Sequence, residues 1–197
     1  YYNSVNIGLP IATYVLGDPT YVIPALVLQM AVLSPIVIAG LDRGASGFVK
    51  SVLSGLTAPV VVAAFAGFAV SAASWQVPEP VLAPLEILGG ASIPLILMSF
   101  GASLTGEKVL QSHRLPTTTA TALKLIGMPA VAWVVAKLLH LGPEETYAAL
   151  ILCALPTAQN VYNYAATYRS GEVICRDTVF LTTFLALPAM LLIAGVF

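Results

Sequence analysis

The stretch ALPTAQNVYNYAATY, residues 154–168, interrupts an apolar segment with a proline and a dense group of polar side chains. Proline lacks an N–H and collides with the preceding turn, so a helix must kink or break at Pro156. Pro156 follows the start of its segment by about eleven residues, which places it roughly 17 Å deep, near the middle of a bilayer. Polar groups at that depth are tolerated only when they are buried in protein or face a wet cavity. The stretch therefore predicts a broken membrane helix that lines a binding site.

The composition around this stretch is that of a membrane protein. Of the 197 residues, 58% are hydrophobic and only 9% are charged, whereas about a quarter of the residues of a soluble domain are charged. The length allows about seven spans of ~20 residues, so we predict an all-α polytopic bundle. The predicted segments are residues 2–16, 21–41, 56–75, 81–104, 117–139, 145–168 and 173–197. The net charge of −1, without a basic run, gives no indication of nucleic acid binding.

Basic residues predict the orientation of the bundle. If the segments alternate in direction, one side of the membrane receives most of the positive charge, and that side is expected to be cytoplasmic. The C-terminus then lies outside. The basic residues on the cytoplasmic side are Arg43, Lys50, Lys108, Arg114, Arg169 and Arg176.

An internal repeat relates the two ends of the chain. Residues 6–17 and 160–171 share an asparagine, an Ala-Thr-Tyr triplet and a glycine at identical spacing. The first copy starts inside and the second starts outside, so the repeat is inverted, as in many transporters. The stretch NSVNIGLP, residues 3–10, also carries a glycine and a proline that weaken a helix. We therefore predict that two interrupted helices cross near the middle of the membrane.

The broken helix suggests what binds at the crossing. A half-helix that resumes after Pro156 directs unpaired N–H groups and a positive dipole end inward, which favours an anion. Gln159 and Asn160 can add side-chain donors, and Tyr162 belongs to the same polar group. Asn3, Asn6 and Gly8 occupy the first interrupted helix, with Gly8 allowing close backbone approach. The alternative is a proline kink whose polar side chains hydrogen-bond to neighbouring helices.

Lys124 lies about two turns inside its predicted segment. It can reach the cytoplasmic face, pair with an acid, or contribute charge to an anion path.

Nothing in the sequence recommends an enzyme. His113 and His140 lie in loops, and no Ser/His/Asp, HExxH or Walker spacing is present. Cys153 and Cys175 lack CxxC spacing, so neither a disulfide nor a metal site is indicated. We expect no cofactor and no metal. The coupling ion and the oligomeric state stay open, with a proton gradient and a homodimer among the options.

These stretches resemble the auxin efflux carrier family, which includes plant PIN-type carriers and bacterial organic-acid permeases. Residues 3–10 and 154–168 are similar to its two crossover helices, and GGASIPLILMSFGASL (89–104) and TALKLIGMPAV (121–131) to helices between them. The resemblance implies a ten-helix bundle of two inverted five-helix repeats, with three N-terminal helices absent from this chain. Residues 1–41 would then end the first repeat, 42–55 would be a cytoplasmic linker, and 56–197 would form the second repeat.

By motif position, the resemblance implies that Asn6, Pro10, Pro156 and Asn160 contact the substrate, a small mono- or dicarboxylate. It implies a secondary transporter that works by alternating access around the crossing. The short loops favour a bacterial inner-membrane permease over a plant carrier with a long central loop. The alternatives are a sodium-coupled bile-acid-type symporter of similar fold and a non-transporting membrane receptor or structural subunit.

Overall fold

The computed structural model describes residues 1–41, 56–57, 59–105 and 108–197. Every regular element within these ranges is a helix, which confirms the predicted all-α class. The predicted linker 42–55 lies outside the described residues. The α-helices are α1 (Leu9–Tyr14), α2 (Ile23–Leu28), α3 (Ser34–Leu41), α4 (Pro59–Ala72), α5 (Glu79–Ser103), α6 (Arg114–Ala122), α7 (Met128–Leu138), α8 (Pro143–Ala154), α9 (Gln159–Thr167) and α10 (Glu172–Val196).

Widened, π-helical turns precede three of these helices. They are Ser4–Gly8 before α1, Gln29–Leu33 before α3 and Leu123–Gly127 before α7. In each case a proline lies two residues after the end of the turn. The residue just before that proline donates its N–H to the carbonyl five residues back, as Met128 N–H does to Leu123 O. Because proline offers no N–H and its ring crowds the turn before it, the chain opens that turn without breaking the helix.

Three helical runs among the described residues are long and apolar enough to cross a membrane. They are Pro19–Leu41, Arg114–Leu138 and Glu172–Val196, with 23, 25 and 25 residues. Large apolar side chains on two of them point outward, with Leu138 72% and Leu192 74% exposed. Lipid tails are the solvent that suits such a surface. The chain is therefore an integral membrane protein.

The described chain forms two compact units. Unit 1 comprises Tyr1–Ala25 and Ser103–Phe197, and unit 2 comprises Leu26–Ala102. Unit 1 thus draws on both predicted repeats. Because compactness does not test an internal repeat, the predicted division at residues 42–55 stays a prediction.

Unit 1 is built around α8 and α10. Helix α7 packs along α8, and α10 packs against α6, α8 and α9. The residues of its apolar core are Ala12, Val22, Leu125, Ile151, Leu152, Ala154, Leu155, Ala186 and Met190. This core surrounds the end of α8, so the interruption predicted at Pro156 is held in a packed environment.

The two copies of the predicted repeat have the same succession of elements. Each has an extended segment, a short helix, a turn at a glycine with positive φ and a longer helical run. The turn glycines are Gly17, with φ 76°, and Gly171, with φ 66°. Only glycine adopts this left-handed conformation without strain, which explains why both copies carry one at this position.

Candidate functional site

Two extended backbone segments cross in unit 1. Helix α8 ends at Ala154 and α9 begins at Gln159, which confirms the predicted break at Pro156. Residues 1–3 run antiparallel to the broken segment, with Tyr2 bridged to Thr157. Two backbone hydrogen bonds join them: Asn3 N–H donates to Pro156 O at 2.9 Å, and Ala158 N–H donates to Tyr1 O at 3.4 Å. The crossing is therefore a direct backbone contact.

The break in the first crossing segment does not lie at Gly8 and Pro10, as the sequence suggested. Both residues belong to a continuous helical run that starts at Ser4, and the non-helical part is residues 1–3. Pro10 is exposed, because the widened turn before it already accommodates its missing N–H. Gly8 is buried at the crossing, where an added Cβ would lie 3.0 Å from Leu155 Cδ1 and 3.2 Å from Asn3 O.

Asn3 makes hydrogen bonds at the crossing through both its backbone groups and both polar atoms of its side chain. It is 4% exposed, and its backbone N–H bonds to Pro156. Its carbonyl accepts from Gly8 N–H at 2.8 Å, and its Oδ1 accepts from Asn6 N–H at 3.2 Å, which caps the helical run that starts at Ser4. Its Nδ2 donates to Gln159 Oε1 at 2.9 Å. Asn3 therefore has a structural role at the crossing, and the second N–H of its Nδ2 group is not engaged by these bonds.

Gln159 is the meeting point of the two polar groups predicted from the sequence. Its Oε1 accepts from Asn3 Nδ2 and also from Asn6 Nδ2, at 3.5 Å. Its Nε2 bonds to no acceptor among the described residues, so the amide presents its N–H side. Asn160 follows in the first turn of α9, half-buried, and its side chain makes no hydrogen bond to the described part of the chain. The site thus offers side-chain donors while its acceptor is already occupied.

Tyr162 is not brought to this group. Its side chain is 8% exposed, and its hydroxyl donates to Glu172 Oε1 at 3.4 Å. Tyr162 lies one turn farther along α9, and its hydrogen bond to Glu172 joins α9 to the start of α10. Of the predicted residues, the structure gathers Asn3, Asn6, Gly8, Pro156, Gln159 and Asn160 at the crossing.

Thr182 supports the broken segment from α10, and sequence reasoning missed it. Its Oγ1 accepts from Thr157 N–H at 3.1 Å and donates to Thr178 O at 2.8 Å. Thr182 is fully buried, and Thr157 is 8% exposed. A threonine within an apolar helix normally bonds to its own helix, so no local signal distinguishes this one.

We expect Thr182→Val to lower the free energy of unfolding by about 1–3 kcal/mol, because the buried Thr157 N–H loses its acceptor. Thermal unfolding in detergent measures the change. The matched control is Thr183→Val, since Thr183 Oγ1 bonds only to Val179 O of its own helix, at 2.7 Å. Equal destabilisation by the two variants would contradict the assigned role of Thr182.

Lys124 approaches the crossing from the widened turn before α7. Its Nζ donates to Cys153 O at 2.6 Å and lies 5.7 Å from the centre of the Tyr2 ring. The side chain is 9% exposed, so it does not reach toward the cytoplasmic face. No carboxylate among the described residues pairs with it. Neither reaching the cytoplasmic face nor pairing with a described acid fits this geometry, and a contribution of charge to an anion path stays a prediction.

The starts of two helical runs and one lysine lie at the crossing. The helical runs that start at Ser4 and Gln159 both begin there, and the first N–H groups of a helix lack intrahelical partners. Lys124 adds a positive charge beside the carbonyl end of α8. No cluster of three His, Cys, Asp or Glu side chains suited to a metal ion occurs in the described ranges.

Unit 2 has an apolar groove of about 480 Å³ lined by Leu26, Met30, Phe65 and Phe68, among others. Apart from Ser71 its lining side chains are apolar, so it offers no charged group to an anion.

The chain is similar to known membrane transport proteins. The model of a family described as "Membrane transport protein" matches residues 47–194. An uncharacterized transporter of Methanocaldococcus jannaschii is 26% identical over 123 residues. That alignment covers 62% of this chain and 38% of the archaeal protein.

Proposed function

We propose that this chain, which belongs to the membrane transport protein family, carries the substrate site of a secondary transporter for small organic anions. Family membership confirms the resemblance to the auxin efflux carriers noted in the sequence. The chain spans little more than a third of the length of its archaeal relative, 38%. The activity of the full-length protein is therefore part of the proposal.

The orientation of Gln159 carries the proposal. Its carbonyl oxygen is held by Asn3 and Asn6, so its NH₂ group is directed away from them. Asn160 stands beside it with an unoccupied side-chain amide, at the positive end of α9. An ionised carboxylate accepts hydrogen bonds and donates none, so it binds where donors and a positive dipole end converge. A mono- or dicarboxylate fits this set of groups better than a cation does.

Transport would follow from access to the crossing alternating between the two faces of the membrane. In repeat-built transporters, one bundle rocks against the other around a site formed by discontinuous helices. The antiparallel bridge between Tyr2 and Thr157 keeps the half-helix ends together during such a movement, because it lies within one compact unit. The crossing would stay intact while the substrate bound to it becomes accessible first from one face of the membrane and then from the other.

Asn6→Ala and Asn160→Ala in the full-length protein test the site. We expect each to lower uptake of a transported carboxylate roughly tenfold or more, since a hydrogen bond to a charged group is worth about 1.5–3 kcal/mol. Uptake into proteoliposomes, screened with malate, malonate and indole-acetate, measures the effect. Asn163→Ala is the matched control, one turn farther along α9.

Wild-type rates in both variants would remove these residues from the site. A flux that vanishes when sodium is replaced by choline would instead favour the sodium-coupled symporter. Binding without flux would favour a receptor.

A further inference from the structure

Among the described residues of unit 1, Lys124 is a buried charge that no carboxylate pairs with. Three charged side chains are buried in the described part of this unit: Lys124, Arg176 and Asp177. Arg176 and Asp177 pair with each other at 2.9 Å, and Asp177 Oδ2 also accepts from Leu110 N–H at 2.9 Å. The partners that the described residues offer Lys124 are a backbone carbonyl and an aromatic ring. An isolated charge buried in protein is costly, so a partner that arrives from outside is its natural complement.

The groups around Lys124 do not neutralise it. Its bonded carbonyl belongs to Cys153, in the last turn of α8, where the helix dipole is negative. The nearby titratable side chains are the Cys153 thiol and the Tyr2 phenol, and both are ordinarily uncharged at neutral pH. The positive charge therefore offsets the carbonyl end of α8, and the beginnings of the other two helical runs at the crossing stay electropositive.

We propose that Lys124 makes the crossing selective for anions, acting through space and without touching the substrate; this inference rests on the function proposed above. Lys124 contacts the Tyr2 ring and the carbonyl of Cys153 at the end of α8, whereas Asn3 bonds to Gln159 at the start of α9. Lys124 and the amide donors of α9 thus contact different residues of the crossing. A neutral hydrogen-bond donor would be enough to cap the Cys153 carbonyl at the end of α8, so capping alone does not require the positive charge of Lys124.

The test separates charge from capping. Lys124→Gln keeps a hydrogen-bond donor and removes the charge, whereas Lys124→Arg keeps both. Competition by malonate and by its neutral diamide, malonamide, against labelled substrate gives the ratio of their affinities in the full-length protein. The matched control is Lys137→Gln, because Lys137 also lies over an aromatic ring, 5.9 Å from the centre of Trp133, but is exposed.

We expect Lys124→Gln to reduce the preference for malonate over malonamide by roughly tenfold to thirtyfold, because a buried unit charge attracts an anion more strongly than the same charge in water does. Lys124→Arg and Lys137→Gln keep the wild-type preference. An unchanged preference in Lys124→Gln, or an equal loss of both ligands, overturns the proposal and leaves a structural cap.

If Lys124→Gln does not fold, Lys124→Arg still tests the proposal. A folded arginine variant must keep the preference for malonate, and one that has lost it overturns the proposal. A wild-type protein that transports none of malate, malonate and indole-acetate would instead contradict the proposed function itself.

Discussion

Gln159→Glu is expected to reduce transport of organic anions by at least about a hundredfold while the protein stays folded. The carboxylate keeps an oxygen for Asn3 and Asn6 but replaces the NH₂ group by a second, negatively charged oxygen. Like charges a few ångströms apart in a protein repel by several kcal/mol. Uptake into proteoliposomes measures the loss, and the elution profile in detergent reports folding.

Gln111→Glu is the matched control for this variant, because it makes the same chemical change in an exposed loop. We expect wild-type uptake from it. Full activity of Gln159→Glu would show that the amide of Gln159 does not face the substrate, and the proposed site would have to be abandoned.

Gly8→Val is expected to prevent recovery of folded protein or to lower its thermal midpoint strongly. The first added carbon alone would lie 3.0 Å from Leu155 Cδ1, 3.1 Å from Val22 Cγ2 and 3.2 Å from the backbone oxygen of Asn3. Overpacking of a buried position costs about 1–3 kcal/mol, and here a backbone atom that cannot rotate away is one of the neighbours. Monodisperse yield and thermal unfolding in detergent measure the effect.

Gly195→Val provides the comparison, since an added Cβ at Gly195 meets no atom within 4 Å. Both glycines are helical, with Gly8 at φ −63°, so backbone strain does not separate the two variants. A Gly8→Val protein as stable as Gly195→Val would show that the crossing can separate without loss of the fold.

The elements of the fold that depend on local chemistry could be predicted from the sequence. Pro156 breaks its helix where expected, because a missing N–H and a steric clash act within one turn. The same reasoning was wrong about Pro10, which lies in a helical run. A proline can be accommodated by widening the turn before it, and the local sequence does not reveal which of the two outcomes has the lower energy.

The site depended on contacts that no local pattern encodes. Asn3 and Gln159 are 156 residues apart, and their hydrogen bond determines which side of the Gln159 amide is presented. The sequence indicated a polar group rich in donors, but it could not assign Asn3 a structural role or find Thr182. For Lys124 it left three roles open, and only the contacts made after folding, burial and the bond to the Cys153 carbonyl, argue against two of them.

The widened turn Leu123–Gly127 also has a consequence for comparing this chain with its relatives. Such a turn holds one residue more than an α-helical turn, and one residue corresponds to a rotation of about 100° around the helix axis. A relative with a regular helix here would align with a one-residue gap, and every position on one side of that gap would face a different direction. The direction in which Lys124 points therefore depends on the number of residues in this turn. Deleting one residue from the turn would rotate Lys124 away from the crossing, even though no side chain had been substituted.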